Sequence, residues 1–405
     1  MVFDTGNTGF MLVATSLVML MTPGLAFFYG GLVGRKNVLA IMIQSFLSMG
    51  WTSVIWFVCG YSLCFSGDVG GIIGNLKMAF LHGVTPQTVF LPTNNIPLFV
   101  FIAYQMMFAI ITPALITGAF TNRVRFTAYM IFLTVWLLFV YFPAVHMIWG
   151  GGLLHRWGVL DFAGGIVVHA IAGMAALASV FFVGKRKILE KGPHSIPLVA
   201  LGTGLLWFGW YGFNAGSELR VDHITAIAFL NTDTAASFAA VTWLFMAWIF
   251  EKKPKFLGLL TGSIAGLATI TPCAGYVTVP VAVLVGIVSG IVCYGAISLK
   301  NRLGWDDALD VWGVHGVGGT LGILMLGLFA TTMVNAGGAM GLIHGGTSFF
   351  FKQVVSVFAF DAYAFVFTYL ALMLINKITP VKVTAEEESL GLDTVLHGEE
   401  AYIPD

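Results

Sequence analysis

Long apolar runs recur along the whole chain, separated by short stretches that carry Pro, Gly and most of the charge. A membrane-spanning helix needs about 20 mostly apolar residues to cross a hydrocarbon core of about 30 Å. Runs of that kind fall at residues 9–33, 38–66, 96–120, 126–147, 162–184, 196–214, 224–250, 256–272, 277–297, 310–332 and 342–376. Eleven transmembrane helices are therefore expected. A soluble fold is excluded, because 58% of the 405 residues are hydrophobic and only 9% are charged, against about 25% charged in an ordinary soluble domain. The 49 glycines suit helices whose backbones approach closely.

The 19 basic and 19 acidic residues balance, so no net charge selects nucleic acid or an anionic surface as a partner. Their placement is uneven. With the N-terminus outside, Lys77, Arg156, Arg220 and Lys352 are the basic residues left outside, and the others, Lys191 among them, fall on inner segments. The positive-inside rule then puts the N-terminus outside and the C-terminus in the cytoplasm. No Lys or Arg precedes Arg35, so the first run reads as a retained span and not as a cleaved signal. Cys59, Cys64, Cys273 and Cys293 lie in apolar stretches without CxxC or His-rich spacing, and read as core residues.

The fifth and tenth runs share an internal echo. Asp161 stands eight residues before His169, and Asp307 stands eight before His315. The fifth run goes inward and the tenth outward, the arrangement of two inverted halves with a substrate site near the bilayer midplane. The expected fold is an all-α polytopic membrane protein with two inverted five-helix halves plus one extra C-terminal helix; chance similarity between Gly-rich helices is the alternative. A protonatable side chain inside a span is functional by default. His169 and His315 meet that test, although two unrelated core histidines, each bonded to a carbonyl, would also satisfy the pattern. If they face each other they can share one proton, since a charge on one disfavours a charge on the other. Asp161 reads either as a helix cap or as an anion acting on a nearby cation. Asp307 reads as a cap.

Aromatic residues gather near the outer ends of the runs. Tyr104 and Phe108 are four apart, Trp149 follows the fourth run, and Trp210, Phe213 and Ser217 close the sixth in WYGFNAGS. An interfacial belt is the plain reading. A belt needs no Ser, however, and ring faces with one hydroxyl acceptor suit a small cation. Residues 68–95 read as a partly ordered external cap. The tail from 381 to 405 turns acidic and must lie in water; Gly391, Leu392 and Asp393, then His397, Gly398 and Glu399, mix turn residues with apolar anchors, which favours docking on inner loops. No nucleophile motif or HExxH accompanies the histidines, so neither an enzyme nor a metal or cofactor site is expected.

The stretches DFAGGIVVH from Asp161, WFGWYGFNAGS from Trp207, TPCAGY from Thr271, DVWGVHG from Asp310 and the tail ESLGLDTVLHGEEAY resemble the ammonium transporter (Amt/Mep/Rh) family, on its Amt side, in order and spacing across the chain. The resemblance implies a multi-pass cell-membrane protein carrying ammonium or ammonia, without a cofactor. It implies that Trp149, Phe108 and Ser217, with Tyr104, line an external recruitment site, that Phe108 and Phe213 close the pore, and that His169 and His315 line an apolar lumen. Asp161 matches the acidic residue supporting recruitment from behind, and Trp210 and Thr271 match supporting positions. Tyr104 stands where the family has Phe, which puts a hydroxyl at the vestibule. The resemblance further implies a homotrimer with one pore per subunit and a cytosolic PII-type signalling protein at the inner exit. A bare ammonium ion would meet a desolvation cost of several kcal/mol in such a lumen, so capture, deprotonation, ammonia passage and reprotonation are expected, with the proton either co-conducted through the histidine pair, which moves one net charge, or returned outside, which moves neutral gas. Residues 1–380 form the transmembrane domain and 381–405 a regulatory tail. The alternative is an ammonium sensor of the same fold.

Overall fold

The computed structural model describes residues 3–90, 94–188 and 192–402. Lys191, Asp405 and residues 91–93 of the external segment lie outside the described residues. The helices, in order, are α1 (Thr5–Leu32), α2 (Arg35–Phe65), α3 (Leu98–Phe120), α4 (Phe126–Trp157), α5 (Gly165–Val183), α6 (Ile196–Glu218), α7 (His223–Glu251), α8 (Phe256–Ile270), α9 (Val279–Leu303), α10 (Trp312–Phe329) and α11 (Thr347–Ile378). Among the described residues ten of these are long and apolar enough to cross a membrane, and α8 is a shorter apolar helix of 15 residues. Pro272, two positions beyond Ile270, has no amide proton to continue that helix.

Several boundaries differ from expectation by a few residues or more, α4 and α9 running on to Trp157 and Leu303, and two of the differences have a plain backbone cause. The tenth run stops at Phe329, because Ala330 turns to an extended backbone. The last helix starts at Thr347 and not near 342, because Gly345 takes a left-handed conformation (φ 89°) after the short turn Leu342–His344. The external segment is a packed cap. Val89–Phe90 pairs antiparallel with Ile96–Pro97, Phe90 stacks on Phe101 at 3.6 Å, and Asp68 bonds Arg156 at 2.9 Å and His146 at 3.1 Å.

Four spans contain a π-turn: Trp56–Gly60, Leu137–Tyr141, Gly165–Ala170 and Trp312–Gly316. Such turns insert one extra residue per turn and re-aim side chains, frequently at functional sites. The last two carry His169 and His315. They start α5 and α10, which cross with backbones in contact: a Cβ placed on Gly173 would lie 2.0 Å from the Gly316 nitrogen. Gly319 is confined too, with Ala170 and His169 atoms 2.7 Å from where its Cβ would stand. Only glycine permits an approach this close.

The tail is docked. Val381 and Val383 exchange backbone bonds with Arg125 and Arg123 at 2.9 Å each, and Thr384 and Glu387 form a capping box that starts the short helix Ala385–Leu390. Gly391 (φ 100°) packs on Lys36, the Leu392 amide donates to Asn37, and the Asp393 carboxylate accepts from the Ala40 amide at 2.7 Å. Burial pushes the Asp393 carboxyl up, opposed by that bond. The His397 ring stands edge-on to Phe126, Gly398 ends the turn in a left-handed conformation, and the Glu399 amide donates to the Asp393 carbonyl. Glu388 accepts from the amides of Lys187 and Ile188 at 2.6 and 2.9 Å.

Candidate functional site

An outer cavity of about 680 Å³ is lined by Phe108, Trp149, Asp161, Ser217, Glu218 and Tyr276, among others. Trp149 caps the segment Phe142–Ile148 within α4 and is fixed by its indole N–H, which donates to the Asp161 carbonyl at 2.8 Å. Its ring meets Phe108 edge to face at 5.9 Å. Phe108 lines this cavity and its ring lies 4.3 Å from that of Phe213, which lines the narrow space next to the histidines. The Ser217 hydroxyl donates to the Phe213 carbonyl at 2.9 Å. With its single proton so engaged, Ser217 can offer a cation only its lone pairs.

Tyr104 departs from expectation. It is fully buried and does not line the cavity. Its hydroxyl reaches back to the Gly212 and Phe213 carbonyls, 2.9 Å from each, and lies 3.2 Å from Ser217. The extra oxygen therefore braces the wall behind Ser217 instead of entering the vestibule, because the open end of α6 offers carbonyl acceptors there.

Asp161 accepts from four amides at the start of α5: Gly164 at 2.9 Å, Gly165 at 2.6 Å, Ile166 at 2.8 Å and Val167 at 3.2 Å. Four donors converging on two oxygens suit an ionised carboxylate. The capping geometry is thus present, and the carbonyl of the same residue holds Trp149. Trp210 donates to Thr271 at 2.9 Å, which brings these two residues together behind the lumen.

Below the phenylalanines the two imidazoles meet. His169 Nδ1 lies 3.2 Å from His315 Nδ1, with the rings 18° from parallel. One nitrogen must donate and the other accept, so this contact holds one proton. The His169 ring also stacks on Trp210, and its Nε2 atom has no hydrogen-bond partner. Around the pair, Leu25, Ile111, Val168 and Phe213 leave about 10 Å³ free, barely the space of one water. An inner cavity of about 210 Å³ follows, lined by His315, Tyr29, Arg186, Ile264 and Asp310. His315 reaches both spaces.

Asp307 caps α10 as expected, accepting from Val311 at 3.1 Å and Trp312 at 2.8 Å. Burial pushes its carboxyl up to about 6, against the pull of Lys300. Lys300 donates to the Asp307 carbonyl and to the Asp310 carboxylate. Sequence reasoning missed Arg123, which counted only as an inner positive charge. It is fully buried, donating to the carbonyls of Ala119, Gly184 and Asp306. Glu218 was missed too; its carboxylate bonds Arg220, which also bonds Asp222. Its position directly after Ser217 was the available signal. Among the described residues no group of three or more His, Cys, Asp or Glu is placed to hold a metal ion.

The profile of the Ammonium Transporter Family matches residues 9–402. The chain is 46% identical to an ammonium transporter of Bacillus subtilis over 98% of each chain. It is 42% identical to ammonium transporter Amt1 of Archaeoglobus fulgidus over 98% of this chain and 99% of that one. Among solved structures, Mep2 of Saccharomyces cerevisiae superposes with a TM-score of 0.89 at 35% identity, covering 100% of this chain and 94% of that one. A structure described as a sensor Amt protein superposes with a TM-score of 0.88 at 29% identity, covering 97% and 98%. The relatives are transporters and not enzymes, and the ten long apolar helices make this a multi-pass membrane protein, consistent with the cell membrane. With two histidines meeting between an outer and an inner cavity, and with likeness along nearly its whole length, the chain belongs to the ammonium transporter family.

Proposed function

We propose that the chain recruits ammonium in the outer cavity, removes one proton above Phe108 and Phe213, and conducts ammonia past His169 and His315 to the cytoplasm, with the proton following through the histidine pair. The observation that carries this reading is the single-proton contact of 3.2 Å between His169 and His315, set in an otherwise apolar constriction between two cavities. An ion in that constriction would lose its hydration without a countercharge, at a cost of several kcal/mol. Ammonia avoids most of it. Potassium has no proton to give up and is excluded.

Trp149 and Phe108 supply ring faces to the cation, Ser217 supplies an acceptor, and Tyr104 steadies Ser217 from behind. Asp161 holds both Trp149 and the start of α5; Trp210 and Thr271 hold the wall beside His169. The transmembrane unit is residues 1–380, with eleven spans in two inverted halves plus a final helix, N-terminus outside. Residues 381–405 form a cytoplasmic regulatory tail. Assembly into a homotrimer with one pore per subunit belongs to the same reading and rests on the likeness to the family. The tail, through Gly391, Leu392, Asp393, His397, Gly398 and Glu399, supports the docking of a PII-type protein on the inner face. The sensor alternative is not favoured, since the relatives of 42–46% identity are named as transporters.

The test is the double variant His169→Leu, His315→Leu in proteoliposomes on a supported membrane. An ammonium pulse should give no current, or a current no longer selective over potassium. Parent current with parent selectivity would overturn the relay.

A further inference from the structure

Asp361 lies near the middle of α11 and is only 7% exposed. Its Oδ1 atom has no hydrogen-bond partner, and its Oδ2 atom lies 3.0 Å from the Thr320 hydroxyl of α10. That hydroxyl also lies 2.8 Å from the carbonyl of Gly316, the residue after His315. The segments packed most closely on α11 are Phe126–Trp136 of α4, α5, α10 and the turn Leu342–His344. Their ionisable side chains are Tyr129, His169, His315 and His344, and none is Asp, Glu, Lys or Arg. On α11 itself Lys352 and Lys377 stand nine and sixteen residues away, about 13 and 24 Å along the axis at about 1.5 Å per residue. Tyr363 donates elsewhere, to the Phe139 carbonyl.

No cation therefore compensates an Asp361 carboxylate, and one of its oxygens would be wholly unpaired, which is expensive inside a membrane. The proton count points the same way. The Thr320 hydroxyl has one proton, and the Gly316 carbonyl can only accept it. Once that proton is given to Gly316, the contact between Thr320 and Asp361 needs a second proton, which only Asp361 can supply. The geometry points to Asp361 being a neutral carboxylic acid that donates to Thr320, and through it to Gly316, making it a positioning residue for the π-turn that carries His315. The protonation state stands independently of the transport mechanism proposed above; the effect on transport rests on that mechanism.

Difference infrared spectroscopy on the whole protein in lipid vesicles reads the two parts separately. The parent should show the carbonyl stretch of a protonated carboxylic acid at neutral pH that is missing from Asp361→Asn. In Thr320→Val the acid loses its acceptor, so the band should move to higher frequency. A carboxylate signature at Asp361, or a band unmoved by Thr320→Val, would overturn the assignment. Ammonium-induced current supplies the second readout. Asp361→Asn still donates one proton to Thr320 and should stay within about two-fold of the parent. Asp361→Leu and Thr320→Val should each lower the current by a similar factor, and the double variant should fall no further than either, the signature of one shared interaction. A current lost in Asp361→Asn with assembly intact, or additive losses in the double variant, would remove the positioning role.

Discussion

At the outer end of α5 the Asp161 carboxylate accepts from four backbone amides and has no basic partner. At the inner end of α10, Asp307 accepts from two amides, and the chain around it is held by Lys300, Asp310, Arg123 and Asp306. The same spacing of Asp and His therefore starts two helices of opposite direction with different support. The start of α5 depends on a single carboxylate bonded only to backbone amides, beside the cavity that the proposed function assigns to the cation. The inner start is shared among several charged groups. The tail widens the contrast: its backbone and carboxylate bonds go to the start of α2 at 37–40, to the connector at 123–125 and to the connector at 187–188.

The largest effect should come from Asp161→Ala. Hydrogen bonds to charged groups are worth about 1.5–3 kcal/mol each, so removing four at once should abolish either assembly or current. Asp307→Ala removes two and should leave assembled protein with reduced current. Size-exclusion profiles and proteoliposome currents compare the two; equal losses would end the distinction between a concentrated and a distributed helix start.

Next is Gly391→Asp in the tail. A Cβ there would lie 2.5 Å from the Lys36 side chain, at a φ of 100°, and strain of this kind costs about 1–3 kcal/mol. Current should fall about ten-fold, in line with about 1.4 kcal/mol per factor of ten, while the amount of assembled protein is unchanged. Full current in this variant would mean that the first half's inner loops do not need the docked tail. Trp149→Leu should act more mildly and only at the outer side. Loss of its ring face, worth about 0.5–2 kcal/mol, should raise the half-saturating ammonium concentration several-fold with the maximal current kept. A lowered maximum at unchanged half-saturation would move Trp149 from recruitment to the pore itself.

The smallest effect is in pH dependence, where the outer and inner sides should slope in opposite directions. Bonds to Arg156 and His146 hold the Asp68 carboxyl down to about 2, against an ordinary 3.8. Its contribution is complete above 3.8 and is lost as the pH falls toward 2. Asp307 is raised to about 6, so its contribution is complete below 3.8 and is lost as the pH rises through 6. Thermal unfolding in detergent should be less acid-sensitive in Asp68→Asn than in the parent, and less sensitive between 3.8 and 6 in Asp307→Asn. Slopes unchanged by both substitutions would leave neither carboxyl as a source of the dependence.

The apolar runs and the matched Asp and His pairs were readable because a bilayer imposes length and because burying an ionisable group is costly. The meeting of His169 with His315 agrees with their matched distances from Asp161 and Asp307 in the sequence. The π-turns that aim them were not readable, since one inserted residue leaves hydrophobic periodicity almost unchanged over so short a stretch. Tyr104 was placed in the vestibule by its spacing from Phe108 and by the resemblance; the carbonyls at the end of α6 that capture its hydroxyl belong to the backbone, which carries no residue-type signal. Arg123 and Asp361 were hidden for the opposite reason, one counted as a loop charge and the other lying in an otherwise apolar run.

The contact between Gly173 and Gly316 bears on how the pore can work at all. Where α5 and α10 cross, the chain has no side chain to rotate aside and no gap to close, and close-packed backbones of this kind resist both compression and sliding. A cycle that rocks one half against the other would have to pull this crossing apart in every turnover. On the proposed mechanism the passage between the histidines then keeps a fixed bore, and opening and shutting fall to ring rotations at its ends. With Phe108 and Phe213 in the gating role proposed for them, flux would scale with the chance that both rings stand aside together, in the manner of a shutter and not of an elevator.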